Sequence, residues 1–285
     1  LYSLEGFASF DDSQTLHYAS DGTVFAREKG SIDVYVFMYY RDFSLAMQDY
    51  FLLTGKPKLL PRYAFGNWWS RDTSYTTDSL FSLVQQFSKR NIPLSIILLD
   101  HDWHYRDFEE NHHLESGFTF NSKLFTDSTN LAQRLHEYNI RLGLTINPEQ
   151  GIYPYEMYYQ KACEYLNIQQ NKIIVFDPLN PKLLDVYFKL FLHPLETMGV
   201  DFFFHDYKNI SFLTSFLAYQ HYHFQDANRD PKKRALMLAR NPLYAPHRYS
   251  VLYAGVSSVS WQQLKEIVDH NLNASNIGIS WWSHD

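Results

Sequence analysis

The stretch Leu94-Ser95-Ile96-Ile97-Leu98-Leu99-Asp100-His101-Asp102-Trp103-His104 decides the fold. Its apolar run has the length of a buried strand, and it breaks off into ionisable and aromatic side chains. On either side lie amphipathic patterns with helical spacing, over residues 79–89 and 130–138. Beyond those come further short apolar runs, at 63–69 and 141–146. The same rhythm continues. Strands are predicted at 63–69, 94–99, 141–146, 200–204, 235–239, 249–254 and 277–282. Helices are predicted between them at 79–89, 130–138, 156–166, 181–198, 212–222 and 261–272. Short apolar runs alternating with longer amphipathic ones indicate βαβ units and a parallel sheet. The implied fold is an α/β (β/α)8 TIM-type barrel with seven of its eight strands present. A doubly wound open sheet is the runner-up. It usually carries a Gly-rich phosphate loop after its first strand, and Asn67-Trp68-Trp69-Ser70-Arg71 stands in that place instead.

The chain before Pro61 reads differently. Residues 1–40 hold short alternating runs, Phe7-Ala8-Ser9-Phe10, Thr23-Val24-Phe25-Ala26 and Ile32-Asp33-Val34-Tyr35-Val36-Phe37, punctuated by Asp11-Asp12 and Ser20-Asp21-Gly22. These predict antiparallel strands, the end of a sandwich-like β domain. A helical pattern over 41–53 stops at Thr54-Gly55-Lys56-Pro57, so 41–60 is a helix and linker. Residues 61–285 form the barrel domain. The start at Leu1, without Met, and the stop at Asp285 mark a mature chain or an excised fragment, truncated before an eighth strand.

Composition bounds the function. The net charge is −6 and no Lys/Arg block stands out, which argues against nucleic acid. No stretch approaches the ~20 apolar residues of a membrane span. Cys163 is the sole cysteine, so no intrachain disulfide can form; this favours a cytoplasmic location, and Cys163 itself is expected to be a packing residue. Aromatic residues reach 18%. Such rings stack on the C–H faces of sugars, although a bulky core gives the same composition.

In a barrel of this kind the C-terminal strand ends build the active site. The second strand ends in Asp100-His101-Asp102-Trp103-His104, the third in Asn147-Pro148-Glu149 and the fourth in His205-Asp206-Tyr207-Lys208. The fifth ends in Arg240-Asn241, the sixth in Gly255-Val256-Ser257 and the seventh in Trp281-Trp282-Ser283-His284-Asp285. Helix N-caps account for one or two aspartates, but not for Asp-plus-Trp clusters around one rim. Two chemistries fit. Paired carboxylates cleave a glycosidic bond, or His and Asp side chains, among them His101, His104, His205 and His284, hold a metal that activates water. No His-x-His pair follows the first strand, His112-His113 falls in a long loop, and the Trp-rich ends favour sugars.

At these residues the sequence resembles glycoside hydrolase family 31, whose best-known members are retaining α-glucosidases and α-xylosidases. The resemblance runs collinearly. Leu60-Pro61-Arg62-Tyr63-Ala64-Phe65-Gly66-Asn67-Trp68-Trp69-Ser70-Arg71 is similar to the start of the family's barrel, and Leu99-Asp100-His101-Asp102-Trp103-His104 to its second-strand motif. Gly117-Phe118-Thr119-Phe120-Asn121 is similar to the segment leading to the next helix. Gly199-Val200-Asp201-Phe202-Phe203-Phe204-His205-Asp206 is similar to the nucleophile strand. The resemblance implies Asp206 as nucleophile, Arg240 beside it, and Asp100, Asp102, Trp68, Trp103, Trp282, His284 and Asp285 among the substrate-binding residues.

Two departures qualify what it implies. The family's acid/base aspartate follows a glycine at the end of the sixth strand, where this chain has Gly255-Val256, and valine transfers no proton. After the nucleophile, Tyr207-Lys208-Asn209 is unlike the usual sequence, and Lys208 could pair with Asp206. The expected function is therefore a retaining glycosidase acting on α-linked glucosides or related sugars, impaired at Val256. A degenerate sugar-binding or scaffold homologue is the alternative, and a metal-dependent barrel hydrolase the second. No cofactor or metal is expected. The expected partner is a carbohydrate substrate, with no nucleic acid or membrane, and homo-oligomerisation is left open. Asp100, Asp206, Arg240 and Asp285 are expected to converge on one pocket.

Overall fold

The computed structural model describes residues 3–106, 115–206, 213–240, 245–249 and 251–284. The chain divides into two compact units. The first comprises Leu1–Leu59, Ile210–Phe224 and Ala239–Asp285, the second Leu60–Asn209 and Gln225–Leu238.

The first unit begins with two antiparallel pairs. Strand β1 (Phe7–Asp11) pairs with β4 (Val34–Met38) from Phe7↔Met38 to Asp11↔Val34, and β2 (His17–Tyr18) pairs with β3 (Val24–Phe25). Helix α1 (Phe43–Thr54) starts on Asp42, whose carboxylate accepts from Leu45 N at 2.9 Å, and stops at Gly55 in the left-handed region at φ 87°.

The second unit opens with Pro61, a 3₁₀ turn over Arg62–Phe65 and then β5 (Trp68–Ser70). The predicted strand at 63–69 is thus half turn: an aromatic run this short does not separate strand from helical turn by pattern. Helix α2 (Thr77–Lys89) is closed by a Thr76/Ser79 capping box and buries Thr77, Leu80, Phe81 and Val84, one helical stripe. Strand β6 (Ile96–Leu99) is buried throughout. Helix α3 (Ser128–Glu137) buries Leu131, Ala132 and Leu135. Strand β7 (Arg141–Ile146) matches its predicted range, and α4 (Tyr159–Leu166) buries Cys163.

One helix is predicted over 181–198. The structure has α5 (Pro181–Val186), a π-helical stretch (Tyr187–Leu192) and α6 (His193–Thr197). Pro194 has no N–H to return to Leu190 O, and its ring would clash there, so the backbone widens in the turn before it. Strand β8 (Phe202–His205) is buried throughout. Near-continuous apolar strands such as β6 and β8 are the mark of a parallel sheet covered on both faces.

Helix α7 (Leu213–Ala227) and β9 (Met237–Arg240) each pass from one unit to the other. In the second unit the strand order is β9-β8-β7-β6-β5, with β9 contributing Met237–Leu238. The pairings β5–β6, β6–β7 and β7–β8 are parallel. In the first unit Ala239–Arg240 of β9 is followed by β10 (Val251–Tyr253), α8 (Trp261–Ser275) and β11 (Trp282–Ser283), in the order β9-β10-β11 with β10 and β11 parallel. Of the predicted strand at 277–282 only Trp282 lies in a strand, and β11 ends one residue beyond that range. Within each unit the described strands follow one another in chain order, the pattern of a partial (β/α)8 barrel. No described helix is long and apolar enough to cross a membrane.

Candidate active site

The register of the second unit fixes a common rim. Leu99 sits opposite Leu144, and Ile146 opposite His205. The next residues, Asp100, Asn147 and Asp206, therefore leave the sheet at the same C-terminal edge. Asp206 stays pinned to it, its N–H donating to Ile146 O at 3.1 Å.

Asp100 caps the turn His101–Trp103, accepting from His101 N at 2.8 Å. That turn carries the His101 ring to Asp206: Nε2 lies 3.2 Å from Asp206 Oδ2 and 3.7 Å from Asp100 Oδ1. Asp206 is almost enclosed, its side chain 6% exposed, whereas that of Asp100 is 28% exposed. The structure thus brings the expected nucleophile and the expected sugar ligand together through one imidazole. The sequence names His101 only as a metal ligand or hydrogen-bonding neighbour, because its reach to Asp206 depends on turn geometry.

Asp102 is engaged elsewhere. It accepts from Ser74 Oγ and lies 3.4 Å from Arg106 Nη2. Trp103 is 1% exposed, donates its indole N–H to Thr145 O at 2.7 Å and meets Phe120 edge-on. In this position it packs the rim from behind. Trp68 donates to Ala64 O and leans on Phe202, while Trp69 donates to Tyr75 OH.

The buried His104 ring lies between Tyr105 O at 3.0 Å and Glu115 O at 3.2 Å, and burial pushes its pKa down to about 3. A Cβ on Gly117 would come within 2.0 Å of its Nδ1, so this close approach needs glycine.

The segment 115–121 is stitched over the turn: Tyr105 N donates to Thr119 O and Asn121 N to Trp103 O. Beneath it Glu156, 4% exposed, accepts from Phe118 N at 3.1 and 3.2 Å and from Thr119 Oγ1 at 2.5 Å. Burial, opposed by these hydrogen bonds, pushes its carboxyl up to about 7. Glu156 escapes sequence reading altogether, since Pro154-Tyr155-Glu156 carries no motif.

The remaining expected residues belong to the first unit. Arg240 ends β9 with its guanidinium 5.4 Å from the Tyr253 ring centroid. Val256 stands 82% exposed in the loop after β10, following Gly255 at φ 91°. Trp282 meets His270 edge-on and stacks with His284, whose Nε2 lies 2.9 Å from Asn271 Oδ1. Asp285, Tyr207, Lys208, Asn209, Asn241, His112 and His113 lie outside the described residues. Among the described residues, no three His, Cys, Asp or Glu side chains are grouped to hold a metal ion.

The model of the glycosyl hydrolases family 31 TIM-barrel domain matches residues 57–285. An α-xylosidase of Saccharolobus solfataricus is 25% identical over 284 residues, covering 89% of this chain and 37% of the relative. Alpha-glucosidase 2 of Bacillus thermoamyloliquefaciens is 30% identical over 154 residues, covering 52% of this chain and 18% of the relative. The chain therefore spans well under half the length of these relatives. A family 31 dextranase of Flavobacterium johnsoniae, solved with glucose, superposes with a TM-score of 0.75 over 98% of this chain and 39% of its own, at 18% identity, which speaks to the fold. On the family match over most of its length, the chain belongs to glycoside hydrolase family 31.

Proposed function

We propose that this chain is the catalytic barrel of a retaining α-glycosidase, with Asp206 as nucleophile and Asp100 as a ligand of sugar hydroxyls. The observation that carries the reading is the meeting of these two carboxylates at one rim, joined by His101 at 3.2 and 3.7 Å. The names of the relatives point to α-linked glucosides and xylosides as the substrate class.

In a retaining reaction the nucleophile attacks the anomeric carbon while a general acid protonates the departing oxygen, and the same group then activates water. Val256 occupies the place of that acid/base in the family pattern and can do neither. A well-placed general acid typically contributes about 10²–10⁴-fold. Natural oligosaccharides are thus cleaved slowly, while an activated aryl α-glycoside, whose leaving group departs as an anion, forms the glycosyl-enzyme readily and then waits for water. Val256 also supports a second reading, in which the homologue binds sugar without turning it over.

The test is pre-steady-state kinetics of the full-length protein with aryl α-glucosides and α-xylosides. A burst followed by slow turnover is expected, and Val256→Asp raises cleavage of natural oligosaccharides by up to about 10²–10⁴-fold. Sugar binding with no burst leaves the second reading standing. Ordinary rates on natural substrates, retained in Asp206→Ala, overturn both.

A further inference from the structure

The rim holds one group that the proposed reaction does not use. The His101 side chain is 11% exposed and sits on a turn held by Asp100, and its Nε2 faces Asp206 Oδ2 at 3.2 Å. Its Nδ1 is buried with no hydrogen-bond partner. An ionised carboxylate only accepts hydrogen bonds, so the ring nitrogen that faces it carries the hydrogen. Nε2–H donates to the carboxylate.

The sheet already fixes the Asp206 backbone through Ile146 O, which leaves the side-chain torsions to be set. A carboxylate this enclosed is costly to ionise unless donors meet it, and a nucleophile must be ionised. We propose that His101 is a positioning residue for the Asp206 nucleophile, donating Nε2–H to Oδ2 so that the carboxylate is held in one orientation and in its charged form.

This inference rests on the reading of Asp206 as nucleophile, and the experiment separates the two. The full-length protein, His101→Leu and His101→Gln are compared by burst kinetics on an aryl α-glycoside across pH. Losing a hydrogen bond to a charged group slows the burst by about 10- to 100-fold in His101→Leu. The acid limb of its kcat/KM profile moves toward higher pH by about one unit. His101→Gln, whose amide nitrogen reaches the same oxygen, recovers most of the rate. A merely structural histidine would leave the acid limb in place.

A fold-independent readout accompanies this. In protein labelled with ¹⁵N-histidine, Asp206→Asn shifts the Nε2 resonance of His101, and an unmoved resonance overturns the contact. A wild-type burst with an unchanged rate and acid limb in His101→Leu overturns the inference alone. A wild type without a burst overturns the reading of Asp206, and the inference with it.

Discussion

Replacing Glu156 by Gln should change how the stability of the protein responds to pH. The Glu156 carboxyl is buried under residues 118 and 119, and burial pushes it from 4.5 to about 7 despite its hydrogen bonds. In the unfolded chain it gives up its proton near its ordinary value. Between these two points the folded state binds more protons than the unfolded state, so stability falls as pH rises through the window. A folded value of about 7 against 4.5 corresponds to roughly 2–3 kcal/mol lost between pH 5 and pH 8. Gln is neutral throughout and keeps a carbonyl oxygen for Phe118 N. Denaturant unfolding of both proteins at pH 5 and pH 8 isolates the effect, because all other titrations cancel in the difference. The stability of wild type relative to Glu156→Gln should fall by roughly 2–3 kcal/mol from the lower to the higher pH. A difference that is the same at both pH values would refute the argument that burial governs this carboxyl.

Two further substitutions separate stability from chemistry. Asp201 lies at the end of the sheet away from the rim, where it accepts from Leu142 N and His136 Nε2 at 2.8 Å and from Arg141 Nη1 at 3.3 Å. Asp201→Ala should cost about 2–3 kcal/mol in denaturant unfolding and leave the burst rate on an aryl glycoside unchanged; a slowed burst in folded protein would contradict this. A Cβ on Gly143 would stand 2.4 Å from Phe202 Cζ across the β7–β8 pairing. Gly143→Ala should destabilise by about 1–3 kcal/mol, and Phe202→Leu in the same chain should recover part of the loss, read as coupling in a double-mutant cycle.

The parallel sheet was legible where strands are buried on both faces. The runs at Arg141–Ile146, Ile96–Leu99 and Phe202–His205 are apolar enough to mark themselves, and their polar C-terminal neighbours mark the rim. What failed were edges and interruptions. Around Tyr63 a short aromatic run predicts a strand where the chain makes a 3₁₀ turn, and at Pro194 a single missing N–H reshapes a helix whose apolar period continues through it. The sharing of one rim by Asp100 and Asp206 follows from strand order alone and was readable. The His101 contact depends on a capped turn, and the state of Glu156 depends on what covers it. Neither leaves a trace in local pattern.

The central claim is that Asp206 attacks the sugar. The direct measurement is peptide mapping by mass spectrometry of full-length protein quenched within the burst, after mixing with an aryl α-glucoside and, separately, an aryl α-xyloside. The account predicts a single hexosyl or pentosyl increment on the peptide carrying Asp206, localised to that carboxylate and absent from Asp206→Ala. A glycosyl increment on any other side chain, or steady hydrolysis with no covalent sugar at all, would contradict it.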